Sequence, residues 1–495
     1  MKPPWIAHLC RVLVLLSAAI FPGIIPLAHA APALNDAQGM MKVDGQSRLV
    51  LGLYENPESD ADLEAAVRNG FNLFQCPPDT NALNRLHRLG AKAWVNVGDA
   101  LDLSVQAEKR RQRLTDLVQR VGQHPALLVW EGPDEILWNQ WWGPMETLRD
   151  ELRSMRSLAA SRQDLAHLAN RAQQCLDRGL YPEFEQARAE FWQTSGQPCL
   201  HPQLHITDSP DKVRLVGDGV SAGLRLLRDL DPAHLRWLNH APRNALSDLK
   251  RFNREADIAG CDIYPAPANL EVGHSDLTDM TLASVGSYTR RMREAAPGKT
   301  CAMVLQGFGW RDLRASVTEH QTALGIGRPP TFRESRFMAY DALLNGANAI
   351  LYWGTAYAKP TDSERTAGKL RPQLWTDLLR VARELRTLEP ALVAKPQRPP
   401  RLRLADTFGS LDRFPLLATL RQAGDDWVLI VANESGHGLR FTVEGMPRRL
   451  ASKTLHRLGT TEQHEVDAGQ FDDGILPYDV HVYATSRRFE AATPQ

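Results

Sequence analysis

Cysteine is scarce in this chain of 495 residues: there are six in all. They are too few and too scattered for a disulfide framework, and no Cys/His spacing resembles a zinc site. Charge of one sign is missing as well. The 58 basic residues balance 58 acidic ones, so no basic stripe points to nucleic acid as a partner. No glycine-rich phosphate loop follows the first strand-like run, which weakens an open doubly wound sheet. Past the N-terminus, no stretch is apolar for long enough to span a bilayer. Nothing in the sequence implies a metal or an organic cofactor.

What is present starts with a leader. Lys2 and Arg11 supply positive charge, Val12 to Leu27 is apolar, and Ala28-His29-Ala30 reads as a small-x-small cleavage site. Residues 1–30 are expected to be a signal peptide and the mature chain to be exported, periplasmic or secreted. Removal of the leader leaves Cys76, Cys175, Cys199, Cys261 and Cys301. Cys76, Cys261 and Cys301 read as small core residues, while Cys175 and Cys199 share one irregular stretch and are candidates for a disulfide.

Strand-like runs then alternate with helical patterns. The runs are Leu49 to Tyr54, Phe71 to Gln75, Lys92 to Val97, Leu127 to Glu131, Leu235 to His240, Asp257 to Tyr264, Cys301 to Gln306 and Ala349 to Trp353. Eight strands with intervening helices predict parallel βα units closed into a (β/α)8 barrel over 47–394. A mostly helical insertion, about 144–232, separates strands four and five; Met145 to Arg178 is an example of its helical pattern, with Gly179 as the stop. Residues Lys395 to Pro400, rich in proline and basic residues, read as a linker. Short alternating runs over 401–486 predict an all-β sandwich, and the tail after Arg487 is expected to be disordered.

The most informative stretch is Leu127 to Trp138. A buried apolar run ends abruptly in Glu131, Asp134 and Glu135, flanked by Trp130, Trp138, Trp141 and Trp142. Carboxylates lose free energy on leaving water unless they are paired or shift their pKa. Acids beside flat aromatic faces are also what cleavage of a glycosidic bond uses. Barrel enzymes carry their chemistry at the C-terminal ends of strands. Here those ends hold Tyr54, Asn96, Asp99, the acidic cluster, Asn239, His240, Asp262, Tyr264, Gln306, Tyr352 and Trp353.

Trp130-Glu131-Gly132-Pro133-Asp134-Glu135 resembles the Trp-Glu-x-x-Asn-Glu that ends strand four in clan A glycoside hydrolases. The resemblance spans about 47–390 and implies Glu135 as general acid/base, with Asp134 in the place of the Asn that holds the sugar 2-hydroxyl. Asp262-Ile263-Tyr264 is similar to the clan's His-x-Tyr on strand six, and Trp353 to its strand-eight tryptophan. An oligo- or polysaccharide is the implied partner. One departure stands out: Gln306 occupies the place of the nucleophilic Glu on strand seven, and a neutral amide cannot form a glycosyl ester. Three readings stay open. Another carboxylate serves, Asp262 first, then Asp99 or Glu131; or the enzyme inverts; or the barrel binds sugar without cleaving it, as a carbohydrate-binding or scaffold protein.

The expected catalytic pair is Glu135 and Asp262, with Asp134, Glu131, Tyr264, Gln306, Trp353, Tyr54 and Asn96 as substrate contacts. Plainer roles stand beside these: Glu131 paired with an arginine, Gln306 as a satisfied core amide, Glu135 as a helix cap, and Trp141 and Trp142 as packing for the insertion.

Overall fold

The computed structural model describes residues 34–267, 279–313, 325–405 and 414–491. The expected signal peptide lies outside the described residues. Eight parallel strands close into a barrel in sequence order. They are Val50–Leu53, Leu73–Gln75, Lys92–Asn96, Leu127–Glu131, Leu235–His240, Ile258–Asp262, Thr300–Gln306 and Ala349–Trp353. Strands four, five and eight have the predicted bounds.

Side chains along these strands alternate between two cores, as a period of two requires. Val50, Leu73, Trp94, Val129, Trp237, Ile258, Val304 and Leu351 fill the barrel interior. Leu51, Phe74, Val95, Trp130, Leu238, Cys261, Met303 and Ile350 face outward into the helices. Each such large side chain contributes about 1.5–3 kcal/mol on burial. Trp130 therefore points away from the barrel axis, where its indole N–H donates to Asp231 at 2.9 Å. It is not a wall of the acidic cluster.

A hairpin that the sequence reading missed, Met41–Val43 with Gln46–Arg48, closes the N-terminal end of the barrel. Asp44 and Gly45 both take positive φ, +51° and +80°, as its two-residue turn requires. Met41 packs into the interior core.

The insertion is not one long helix. Trp138–Ala159, Gln163–Asp177 and Tyr181–Ser195 pack around their own core of Leu148, Leu152, Met155, Phe184 and Phe191. Arg188 and Glu151 form a buried bidentate pair inside it, at 2.7 and 2.9 Å. Cys175 and Cys199 are both free, so the candidate disulfide is not formed; Cys199 Sγ lies 3.2 Å from Arg188 instead. The next helix, Ser209–Leu230, belongs to the barrel. A methyl at Gly223 would meet Leu101 O at 1.8 Å, and that close approach seats it.

The C-terminal strands form a six-stranded and a three-stranded antiparallel sheet around a core that includes Leu420, Leu429, Phe441, Phe471 and Tyr483. The other face of the larger sheet, with Val428, Ile430, Val480 and Val482, packs on barrel helices. This double burial explains the nearly continuous apolar run of Asp426–Asn433. Phe489 is buried, 2% exposed, so the chain past Arg487 is docked as far as 491. No helix among the described residues is long and apolar enough to cross a membrane.

Candidate active site

Strand four delivers its acids to two levels. Glu131 is its last residue, points into the barrel and is fully buried, 0% exposed. Its carboxylate takes three donors: Tyr54 Oη at 2.8 Å, Asn96 Nδ2 at 2.9 Å and Trp94 Nε1 at 3.1 Å. Tyr54, Trp94 and Trp237 surround it edge-on, with centroids 5.1–5.6 Å apart. Burial pushes the pKa of Glu131 from its ordinary 4.5 to about 8, with help from the charge of Asp134, while the three donors restrain the rise.

These contacts correct several expectations. Glu131 has no arginine partner among the described residues, and the side chains of Glu131, Tyr54 and Asn96, expected to contact sugar, bond one another. Asn96 also donates to Gly132 O at 3.0 Å and accepts from Gly98 N at 2.7 Å, so both of its amide hydrogens are taken. Together they are a floor beneath the cleft.

The upper level is the rim. Past Glu131 the chain leaves the sheet, and Glu135 adopts φ +48°, the left-handed region that non-glycine residues seldom occupy. The helix that follows starts only at Trp138. Asn239, inward-facing at the end of strand five, donates its single amide nitrogen to Asp134 Oδ1 and Asp262 Oδ1, each at 3.0 Å. Asp262 is buried, 8% exposed, and its side chain hydrogen-bonds that of Glu135. Two carboxyls can share such a bond only with a proton between them. Burial holds the Asp262 pKa well above the usual carboxylate range, and the charges of Glu135 and Asp134 add to it. Desolvation also raises Asp134, against the Asn239 amide and the Glu135 backbone N–H, although this residue keeps an edge open to solvent.

The far wall is aromatic. Tyr264 stacks on Trp353 at 5.5 Å and 25°, with Phe308 edge-on to both at 5.2 Å. Burial raises the Tyr264 phenol well above its ordinary value, and Asp262, Asp134 and Glu135 raise it further. Electrostatically, then, Tyr264 feels all three rim acids.

Gln306 does not meet the cleft. It is 0% exposed, donates to Ala266 O at 2.9 Å and Phe308 O at 3.1 Å, and accepts from Ala266 N at 2.9 Å. The expected sugar contact is a clamp joining the exits of strands six and seven. Asp99 stands apart, ion-paired with Arg113 at 3.0 Å, which holds its pKa below the ordinary value. His240 is buried and bonded to Asn253 at 3.1 Å, a structural residue.

Among the residues the sequence reading left out of the site, Asn239 matters most. Its inward position on strand five was a legible signal. Glu55 is a second: its Oε1 accepts from Ala356 N at 3.0 Å and ties the exits of strands one and eight.

No family model matches this sequence, and no curated protein matches it. Solved structures do. A glycoside hydrolase family 5 protein from Bacteroides vulgatus is similar with a TM-score of 0.51 and 12% identity, over 93% of this chain and 95% of its own. Gan42B, a GH42 β-galactosidase from G. stearothermophilus, is similar with a TM-score of 0.50 and 12% identity, over 88% of this chain and 98% of its own. At such identity the likeness is one of architecture: this chain has a (β/α)8 barrel joined to a C-terminal β domain.

Proposed function

We propose that this protein is an exported hydrolase of O-glycosidic bonds in an oligo- or polysaccharide. The carrying observation is the Glu135–Asp262 carboxyl pair at the C-terminal mouth of the barrel. One proton between two carboxyls is the inventory a retaining glycosidase needs, an acid for the leaving oxygen and a carboxylate for the anomeric carbon. Glu135 is the acid/base and Asp262 the second carboxylate, which takes up the role that Gln306 cannot. Asn239 orients Asp262 and Asp134, and Asp134 offers its open edge to a sugar hydroxyl. Tyr264 and Trp353 supply flat apolar surface for a ring.

A second reading is favoured by the closeness of the pair. Retaining carboxyls stand about 5 Å apart and inverting ones roughly 6.5–9.5 Å, whereas these are within hydrogen-bonding reach of each other. Cleavage therefore requires sugar to enter between them; a sugar-binding protein would leave them joined. Glu135→Gln and Asp262→Asn separate the two. Assayed against a glycan panel, each is expected to lower turnover by about 10²–10⁴-fold with binding retained. Turnover unchanged in Glu135→Gln removes that residue from the mechanism, and no turnover by the unaltered chain on any glycan leaves the binding reading.

A further inference from the structure

The loop that leaves strand five carries polar groups that the proposed cleavage does not use. Two cavities, of about 650 and 220 Å³, meet at Arg243, Asn244 and Ala245. The smaller is walled by Trp141, Trp142 and Tyr181 of the insertion. The larger runs on to Arg291 of the helix Ser284–Ala295. Arg243 is exposed, lies 5.4 Å from the Trp142 ring centroid, and pairs with no carboxylate among the described residues. Arg149 lies 5.5 Å from the same ring and is likewise without an ion pair among the described residues.

Deeper in, Asn244 is 4% exposed and its Oδ1 has no hydrogen-bond partner. Arg291 donates through Nη2 to Asn244 O, while its own Nε is buried and unpartnered. Asp279 is the one carboxylate among the described lining residues, and its Oδ1 already accepts from the backbone N and Oγ1 of Thr281. Buried polar atoms without partners are costly, and a ligand that satisfies them relieves that cost. What is on offer is guanidinium N–H, an amide acceptor and indole surface. A neutral sugar offers the guanidiniums only hydroxyl oxygens and leaves their charge unpaired. A sugar carboxylate takes them in charge-assisted bonds, with its hydroxyls turned to Asn244 and its ring to the aromatics.

We propose that this groove binds an acidic polysaccharide, one whose sugars carry carboxylates, and holds it as it passes over the barrel mouth. The proposal deepens the hydrolase reading, since it names the class of glycan that reaches Glu135. Binding can be measured without cleavage, so the two fail separately.

The test is calorimetric titration of the full chain with tetrasaccharides of galacturonate, of mannuronate and of alternating glucuronate, each beside its carboxyl-reduced form. At least one acidic tetrasaccharide is expected to bind ten-fold or more tightly than its reduced counterpart, with a preference that shrinks as salt is raised. Arg243→Gln, on an exposed side chain, should melt as the parent does and lose that preference; Trp142→Ala should weaken both forms. Equal binding of acidic and reduced forms, no binding of any, a preference intact in Arg243→Gln, or tighter binding of a single-stranded oligonucleotide would each overturn the proposal. Acidic sugars bound but never cleaved would sink the hydrolase reading and leave the groove standing.

Discussion

Glu131 and Glu135 lie four residues apart at one strand exit and live in opposite surroundings. The floor around Glu131 is closed: three donors fill its carboxylate, and Tyr54, Trp94 and Trp237 seal it from water. The rim around Glu135 is open and overcharged: Asp134 and Asp262 share one Asn239 amide, and Asp262 in turn shares a proton with Glu135. Residue type does not separate a structural acid from a reactive one. The donors around each do: a carboxylate whose partners are complete is held in place, and one left to share a proton can give it away.

The sharpest way to break this contrast is to exchange charge on the two levels. Glu135→Gln should cost about 10²–10⁴ in turnover while melting within a few degrees of the parent. If it instead unfolds the protein, the rim is structural too. Gln306→Glu sets a carboxylate against the carbonyls of Ala266 and Phe308. It should destabilise by about 3–5 kcal/mol in denaturant titration and add no activity, since the position is a clamp. A gain in turnover would show that strand seven does face the sugar.

Gly260→Ala tests how tightly the floor is packed. Its methyl would approach Trp237 Nε1 to 2.4 Å, and a loss of about 1–3 kcal/mol is expected. Glu131 sharpens the comparison through pH. Between its ordinary 4.5 and about 8, the folded chain keeps a proton on this group that the unfolded chain has lost. Its contribution to stability is therefore full at low pH and disappears as pH rises through 8, by at most about 1.4 kcal/mol per pH unit. Glu131→Gln, neutral throughout, should flatten that slope in melting curves taken at pH 5 and pH 8. An unchanged slope would show that Glu131 is ionised across the range. Tyr54→Phe is the mildest change: with one donor of three gone, about 1 kcal/mol should be lost with turnover nearly intact.

The barrel was legible because its strands are short apolar runs broken by glycine stops, and eight of them leave little choice of topology. The sandwich strands were legible from their alternation. The inward sides of the strands were harder to read, and Trp130 shows why: it neighbours the acids in sequence but, one step along a period of two, belongs to the opposite face. The hairpin at 41–48 carried an Asp-Gly turn and was still missed, because its strands are only three residues long. The break within 145–178, at residues 160–162, had no proline or glycine to mark it. Cys175 and Cys199 share a stretch of chain, yet Cys199 is occupied by Arg188 and Glu151.

By itself, the sequence determined the eight strands, their order, the acidic turn at the fourth exit and the amide at the seventh, all of which follow from local pattern. Only the tertiary structure decided which acid meets which. Asp262 comes to Glu135 across 127 positions of sequence because closure of the barrel sets strand ends side by side, and Asn239 lies between because inward positions of neighbouring strands share one layer. Gln306 was decided there as well: a side chain at a strand mouth contacts sugar or backbone according to what the loops above it do, and here they close on it.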